Sequence, residues 1–202
     1  MYKYIKRLFD IIFGLVGLII LLPICIIVKI SFLCIGDKES IFFKQERIGK
    51  DGEPFIMYKF RSMVYNAEEL LEELLKDEKY RKDWDENQKI EKDPRITKIG
   101  YFLRKSSMDE LPQLLNVLKG DMSIVGPRPL VEGELEEHGG SKTYWKVKPG
   151  ITGWWGSNGR SDVDYDKRLE MEYYYIQNMS FKLDMICIFK TITAVIKHEG
   201  AI

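Results

Sequence analysis

The sequence predicts an α+β fold in which an N-terminal re-entrant membrane helix, residues 1–35, joins a small mixed globular domain with interfacial amphipathic helices, residues 36–202. Three observations carry this expectation. Residues 11–28, IIFGLVGLIILLPICIIV, form an uncharged run of 18 residues, roughly 27 Å long as a helix at about 1.5 Å per residue. Residues 41–60 hold two short apolar stretches around Gly49-Lys50-Asp51-Gly52, the pattern of a β-hairpin. Three later segments repeat apolar residues at helical spacing.

Lys3, Lys6 and Arg7 precede the apolar run, Lys29 follows it, and Pro23 interrupts it. Basic flanks on both sides favour two cytoplasmic ends, which one straight span does not provide. A helix bent at Pro23 does, because proline removes one backbone bond and crowds the preceding turn, so a kink near residues 19–23 is expected. A tilted span stays the alternative. No small-residue cleavage site follows the run, which argues against a signal peptide.

Residues 66–93 carry eleven acidic and six basic residues, with Leu70, Leu71, Leu74 and Leu75 at helical spacing, so the first half is expected to be an amphipathic helix with a solvated face. Asp93-Pro94 and Gly100 punctuate the chain. Ser107-Met108-Asp109-Glu110 has the capping-box pattern ahead of Leu111, Leu114, Leu115 and Leu118, predicting a helix that stops at Gly120. Gly126-Pro127-Arg128-Pro129 requires an ordered turn. The glycine-dense residues 148–160 suit a loop that approaches a ligand. Met185, Ile188, Phe189, Ile192, Val195 and Ile196 mark a C-terminal helix for the core or the membrane interface.

Composition narrows the chemistry. Lys plus Arg and Asp plus Glu number 31 each, and this balance argues against nucleic acid as a partner. Cys25, Cys34 and Cys187 form no close pair, and His138 and His198 are the only histidines. Disulfide frameworks, His-based triads and multi-His metal sites are therefore poor readings, leaving carboxylates, Arg and Lys.

Asp109 and Glu110 lie in residues 94–130, where six basic residues face three acidic ones. They cap a helix in the plain reading. In the functional one, Asp109 attacks phosphorus and Glu110 holds Mg²⁺, a hard ion that favours carboxylate and phosphate oxygens. Arg104, Arg128 and Arg160 are candidates for diphosphate recognition through their planar forks. Trp154 and Trp155 suit stacking on a base or sugar, anchoring at lipid headgroups, or the core.

The ordered segments Lys59-Phe60-Arg61-Ser62-Met63, Asp93-Pro94-Arg95-Ile96-Thr97-Lys98-Ile99-Gly100, Leu103-Arg104-Lys105-Ser106-Ser107-Met108-Asp109-Glu110-Leu111-Pro112-Gln113, Val125-Gly126-Pro127-Arg128-Pro129 and Lys148-Pro149-Gly150-Ile151-Thr152-Gly153-Trp154 resemble the bacterial sugar transferase family, the monotopic polyprenyl-phosphate phosphoglycosyl transferases. The resemblance runs through nearly the whole chain. It implies a re-entrant helix, a cytoplasmic catalytic domain at residues 36–202, and a place on the cytoplasmic face of the bacterial inner membrane. It implies transfer of a sugar 1-phosphate from a UDP-sugar to undecaprenyl phosphate, with release of UMP and initiation of a lipid-linked glycan. Asp109 then becomes the covalent nucleophile and Glu110 a Mg²⁺ ligand, while Arg104, Arg128, Arg160 and Lys59 become substrate-binding residues.

Two departures stand out: relatives carry Ser-Pro where this chain has Leu22-Pro23, and Trp-Ala-Gln-Val-Asn-Gly-Arg where it has Trp154-Trp155-Gly156-Ser157-Asn158-Gly159-Arg160. A homodimer through the membrane helix or the C-terminal segment is left open. The rival readings are a membrane-anchored glycolipid-binding scaffold, in which Asp109 and Glu110 only cap a helix, and a glycosidase, which adjacent carboxylates suit poorly.

Overall fold

The computed structural model describes residues 1–87, 90, 92–158 and 163–197. It has the α+β composition expected. Helix α1 (Tyr2–Cys34) buries Asp10, Gly14, Leu21, Val28 and Phe32, whose spacing of four and seven lines them up as one stripe. That stripe faces the rest of the protein, while Leu8, Ile12, Leu15, Ile19, Ile26 and Ile30 on the other faces are exposed. The helix continues through Pro23. The expected kink does not interrupt it, since the proline φ is itself helical and only one backbone bond is lost.

Strands β1 (Phe42–Ile48) and β2 (Pro54–Phe60) form the predicted hairpin, paired antiparallel from Phe42 opposite Phe60 to Ile48 opposite Pro54. The turn between them places Asp51 and Gly52 at positive φ, 60° and 83°. The helix expected in the first half of residues 66–93 is α2 (Ala67–Leu74), and a second helix, α3 (Glu78–Asn87), follows it. Helix α4 (Lys98–Lys105) starts at Thr97, whose hydroxyl accepts from the Gly100 amide. Gly100, read as punctuation, lies inside this helix because a Cβ there would meet the Ser62 carbonyl oxygen at 1.8 Å.

Helix α5 (Gln113–Lys119) ends at Gly120 as predicted, with Gly120 left-handed at φ 98°. Its start is a correction. Ser107 itself is left-handed at φ 55° and makes no capping bond, and residues Met108–Glu110 form a separate 3₁₀ turn ahead of α5. The Arg7 guanidinium donates to the Val117 and Leu118 carbonyls at 2.6 and 2.9 Å, a cation on the negative end of α5. Beside it Gly14 and Gly17 pack α1 against Leu118 and Leu114; a Cβ at either would come within 2.7 and 2.5 Å of those leucines.

Strands β3 (Ser123–Val125) and β4 (Gly150–Thr152) pair in parallel. They are followed by α6 (Glu134–Glu137) after β3, and by α7 (Trp154–Asn158), α8 (Tyr165–Gln177) and α9 (Phe181–Lys197) after β4. Two apolar clusters matter for the site. Leu21, Val28 and Phe32 of α1 join Ile41, Phe60 and Leu103 in one, and Met57, Val117 and Met122 join β2 to α5 in another. Asn116, fully buried, donates to the Ile56 carbonyl at 2.6 Å and accepts from the Tyr58 amide at 3.1 Å. This fixes the hairpin relative to the turn that precedes α5.

Candidate active site

The 3₁₀ turn sorts its side chains by direction. Met108 packs into the cluster shared by α1, the hairpin and α4, while Asp109 and Glu110 line a cleft of about 1280 Å³. The left-handed Ser107 makes the sharp change of course, a conformation that costs a non-glycine residue about 1 kcal/mol. Lys59 on β2 reaches Glu110 with its ammonium 3.0 Å from Oε1. Arg104, on the last turn of α4, donates from Nε to the Ser62 hydroxyl at 2.8 Å and lines the same cleft.

Burial, and then the neighbouring Glu110 charge, push the Asp109 carboxyl up to about 6; Lys59 and Arg104 oppose the rise. Desolvation wins over two cations because it acts on the charged form directly. The outcome is a carboxylate still mostly ionised at neutral pH yet poorly solvated, a state that favours bond formation over hydration.

The structure brings Asp109, Glu110, Lys59, Arg104 and Arg128 to one cleft. Arg160 lies outside the described residues. Arg128 sits in the ordered turn expected of Gly126-Pro127-Arg128-Pro129, held by its amide donating to Glu172 at 3.0 Å and its carbonyl accepting from the Tyr144 hydroxyl at 2.8 Å. The nearby Gly150, Gly153 and Gly156 line the cleft, and Gly126 and Gly150 are also needed for packing. A Cβ on Gly126 would lie 2.5 Å from the Lys148 carbonyl and one on Gly150 2.1 Å from the Gly126 amide. They let two backbone segments touch, and Trp154 and Trp155 then enter α7 rather than a loop.

Sequence reasoning missed Arg47 and Arg168, which join Arg128 at the same cleft. Glu134 accepts from Arg168 at 3.1 Å and stands 3.8 Å from Arg47. The Trp155 ring lies under both Arg128 and Arg168, 5.4 and 5.0 Å from ring centre to guanidinium carbon, within cation–π range. Glu172, 1% exposed, is pushed up to about 7 by burial, against the opposing Arg168 and Arg128 charges. Arg168 and Glu172 are four apart on α8, a spacing that could have flagged a shared face; Arg47 on β1 gave no such signal.

Among the described residues, no three His, Cys, Asp or Glu side chains gather as metal ligands. That donor set fits a Mg²⁺ ion held by one or two carboxylates and by substrate phosphate oxygens, the usual mode for this ion. Glu110, with Asp109 beside it, offers those carboxylates.

The fold and the cleft define an α+β protein that sets a carboxylate pair among several cations beside a long, outwardly apolar helix. The model of the bacterial sugar transferase family matches residues 1–198, and the chain belongs to that family. It is 46% identical over 201 residues to the UDP-galactose-lipid carrier transferase of Erwinia amylovora and 44% identical over 201 residues to the undecaprenyl-phosphate galactose phosphotransferase of Salmonella typhimurium. Each alignment covers 98% of this chain and 42% of the relative, so the chain spans about two fifths of their length. The exopolysaccharide production protein ExoY of Sinorhizobium fredii is 42% identical over 198 residues, covering 97% of this chain and 87% of that protein.

Proposed function

We propose that this protein transfers a sugar 1-phosphate from a UDP-sugar to undecaprenyl phosphate through a phospho-aspartyl intermediate on Asp109. The observation that carries the reading is the convergence of Asp109, Glu110, Lys59 and Arg104 at one end of a single cleft. Relatives named for undecaprenyl-phosphate sugar transfer support the donor and acceptor classes.

An Asp109 carboxylate oxygen attacks the β-phosphorus of the donor. An oxygen–phosphorus bond forms as the bond from that phosphorus to the bridging oxygen breaks, and UMP leaves with the electron pair. Mg²⁺, when bound, neutralises diphosphate charge, with Glu110 as its protein ligand. Lys59 and Arg104 hold phosphoryl oxygens and favour the ionised Asp109. A phosphate oxygen of the acceptor then attacks the same phosphorus, displacing the Asp109 carboxylate and regenerating it. Splitting the transfer lets a soluble and a lipid substrate use one cleft in turn.

We also propose that both ends of α1 face the cytoplasm, with the helix re-entering the cytoplasmic leaflet of the bacterial inner membrane. Lys6 near one end bonds Asp184, and Phe32 near the other packs under the Arg61 guanidinium, 4.4 Å from ring centre to its carbon. A rod held to one domain at both ends supports a single side over a span. Single cysteines at Lys3 and Lys38 should react equally with an impermeant thiol reagent from the cytoplasmic side; opposite reactivity would indicate a span.

Intact mass spectrometry after incubation with Mg²⁺ and a panel of UDP-sugars, without lipid, tests the chemistry. The expected result is a protein adduct of one sugar phosphate together with UMP, absent from Asp109→Asn and from samples treated with chelator. UMP release only after undecaprenyl phosphate is added, with no adduct, would favour direct transfer; ligand binding without any release would favour the scaffold.

A further inference from the structure

The charges at the Arg128 end of the cleft do not balance. Arg47, Arg128 and Arg168 bring three positive charges from β1, the turn after β3, and α8, and Glu134 is the carboxylate paired with Arg47 and Arg168. Glu172 also faces this end, with one oxygen on the Arg128 amide and Oε2 buried without a hydrogen-bond partner. The Arg47 Nε, Arg168 Nε and Trp155 Nε1 atoms are likewise buried and unpartnered. Buried N–H groups rarely stay unpaired, because each costs about 1–3 kcal/mol when left so. The surplus positive charge, on arginines that line the cleft, calls for a ligand rich in acceptor oxygens, and the three unsatisfied donors show that the protein does not fully satisfy these side chains. Arginine forks match phosphate oxygens in pairs, and a phosphomonoester carries about −1.5 to −2 at neutral pH, enough to offset the charge left over after Glu134 and Glu172.

We propose that Arg47, Arg128, Arg168 and Trp155 form a phosphate-recognition site of their own in the cleft that receives a terminal phosphomonoester. Two such groups exist in the proposed transfer, the departing nucleotide and the lipid acceptor, and the assignment between them rests on that reading. Anion binding itself does not. Arg47 and Arg168 become substrate-binding residues, and Trp155 supports two of the guanidinium groups while offering its own N–H.

The test uses the full chain in detergent micelles, titrated calorimetrically with UMP, with farnesyl monophosphate and with inorganic phosphate. Arg168→Lys keeps the charge and a partner for Glu134 but loses the fork; Arg47→Gln removes a charge. Each should weaken binding of at least one phosphomonoester about tenfold while thermal unfolding stays cooperative. Loss for UMP alone assigns the site to the nucleotide, and loss for farnesyl monophosphate alone assigns it to the acceptor. If Arg47→Gln does not fold, Arg168→Lys and Trp155→Phe carry the test. Wild-type affinity for all three probes in the folded variants would overturn the proposal. Asp109→Asn should retain this binding even though it forms no adduct, so failure of the covalent mechanism and failure of this site give different results.

Discussion

Lys6 and Asp184, 178 positions apart, meet at 2.9 Å, and the same carboxylate accepts from the Tyr2 and Tyr175 hydroxyls at 2.8 and 2.6 Å. Asp184 is 3% exposed, so its charge is tolerated only because three donors surround it. The network fastens the first turns of α1 to α8 and α9. Asp184→Ala leaves a buried ammonium unpaired and should cost about 3–5 kcal/mol, measured as a fall in the denaturation midpoint of the detergent-solubilised chain. Asp184→Asn, which keeps acceptors for the tyrosines, should lose less.

In the proposed mechanism Asp109 must be ionised to attack. With its carboxyl near 6, the rate of UMP release in a single turnover should fall about tenfold per pH unit well below that value and level off above it. Glu110→Gln removes the charge that raises Asp109, so the acidic limb should move to lower pH. Lys59→Met removes a charge that lowers it, so the limb should move up. Opposite movements in the two variants, read from pH profiles and separately from the loss in maximal rate, would confirm the assignment; a limb unmoved in both would reject it.

Glu172 bears on stability. Its carboxyl is raised from 4.5 to about 7, so the folded chain binds the proton more tightly than the unfolded chain does. That contribution is fully present below 4.5 and is lost as pH rises towards 7. Glu172→Gln abolishes the titration, and between pH 5 and pH 8 its unfolding free energy should gain about 2–3 kcal/mol relative to the parent chain. Denaturant melts at the two pH values measure this directly.

Gly100→Ala should be among the most damaging small substitutions. The added Cβ would meet the Ser62 carbonyl oxygen at 1.8 Å, with the Ser62 carbonyl carbon and Cα also within 2.7 Å, and backbone does not yield cheaply. The expected loss is about 3 kcal/mol or more, accompanied by slower adduct formation, because Ser62 also accepts the Arg104 hydrogen bond.

The features legible in the sequence are those written in neighbouring residues. Gly49 and Gly52 marked the hairpin, Gly120 marked the end of α5, and two prolines marked the Arg128 turn. The Ser107 capping pattern misled because its local signal was overridden by the need to turn Met108 inward and Asp109 outward. The leucines at helical spacing marked α2, whereas α3 has no such apolar stripe among its charges to mark it. Arg47 and Arg168 could not be placed with Arg128, since their meeting depends on β1, α6 and α8 packing together. The three-residue parallel pairing of β3 with β4 carries too little periodicity to read. Family resemblance reached Asp109, Glu110 and Arg104 through contiguous words, whereas the Lys6–Asp184 tie links opposite ends of the chain.

The contact of Gly14 and Gly17 with Leu118 and Leu114 bears on how this protein can be handled. Close packing on two glycines brings α1 against α5 with no α1 side chain between them at those positions, an arrangement that does not depend on water to drive it. That packing should persist in detergent and keep helix and domain together. Cutting away the first 35 residues should therefore not liberate a water-soluble fragment. It would bare Leu103, Phe60, Leu114 and Leu118 together and strip Arg7 from the end of α5, leaving a fragment that self-associates.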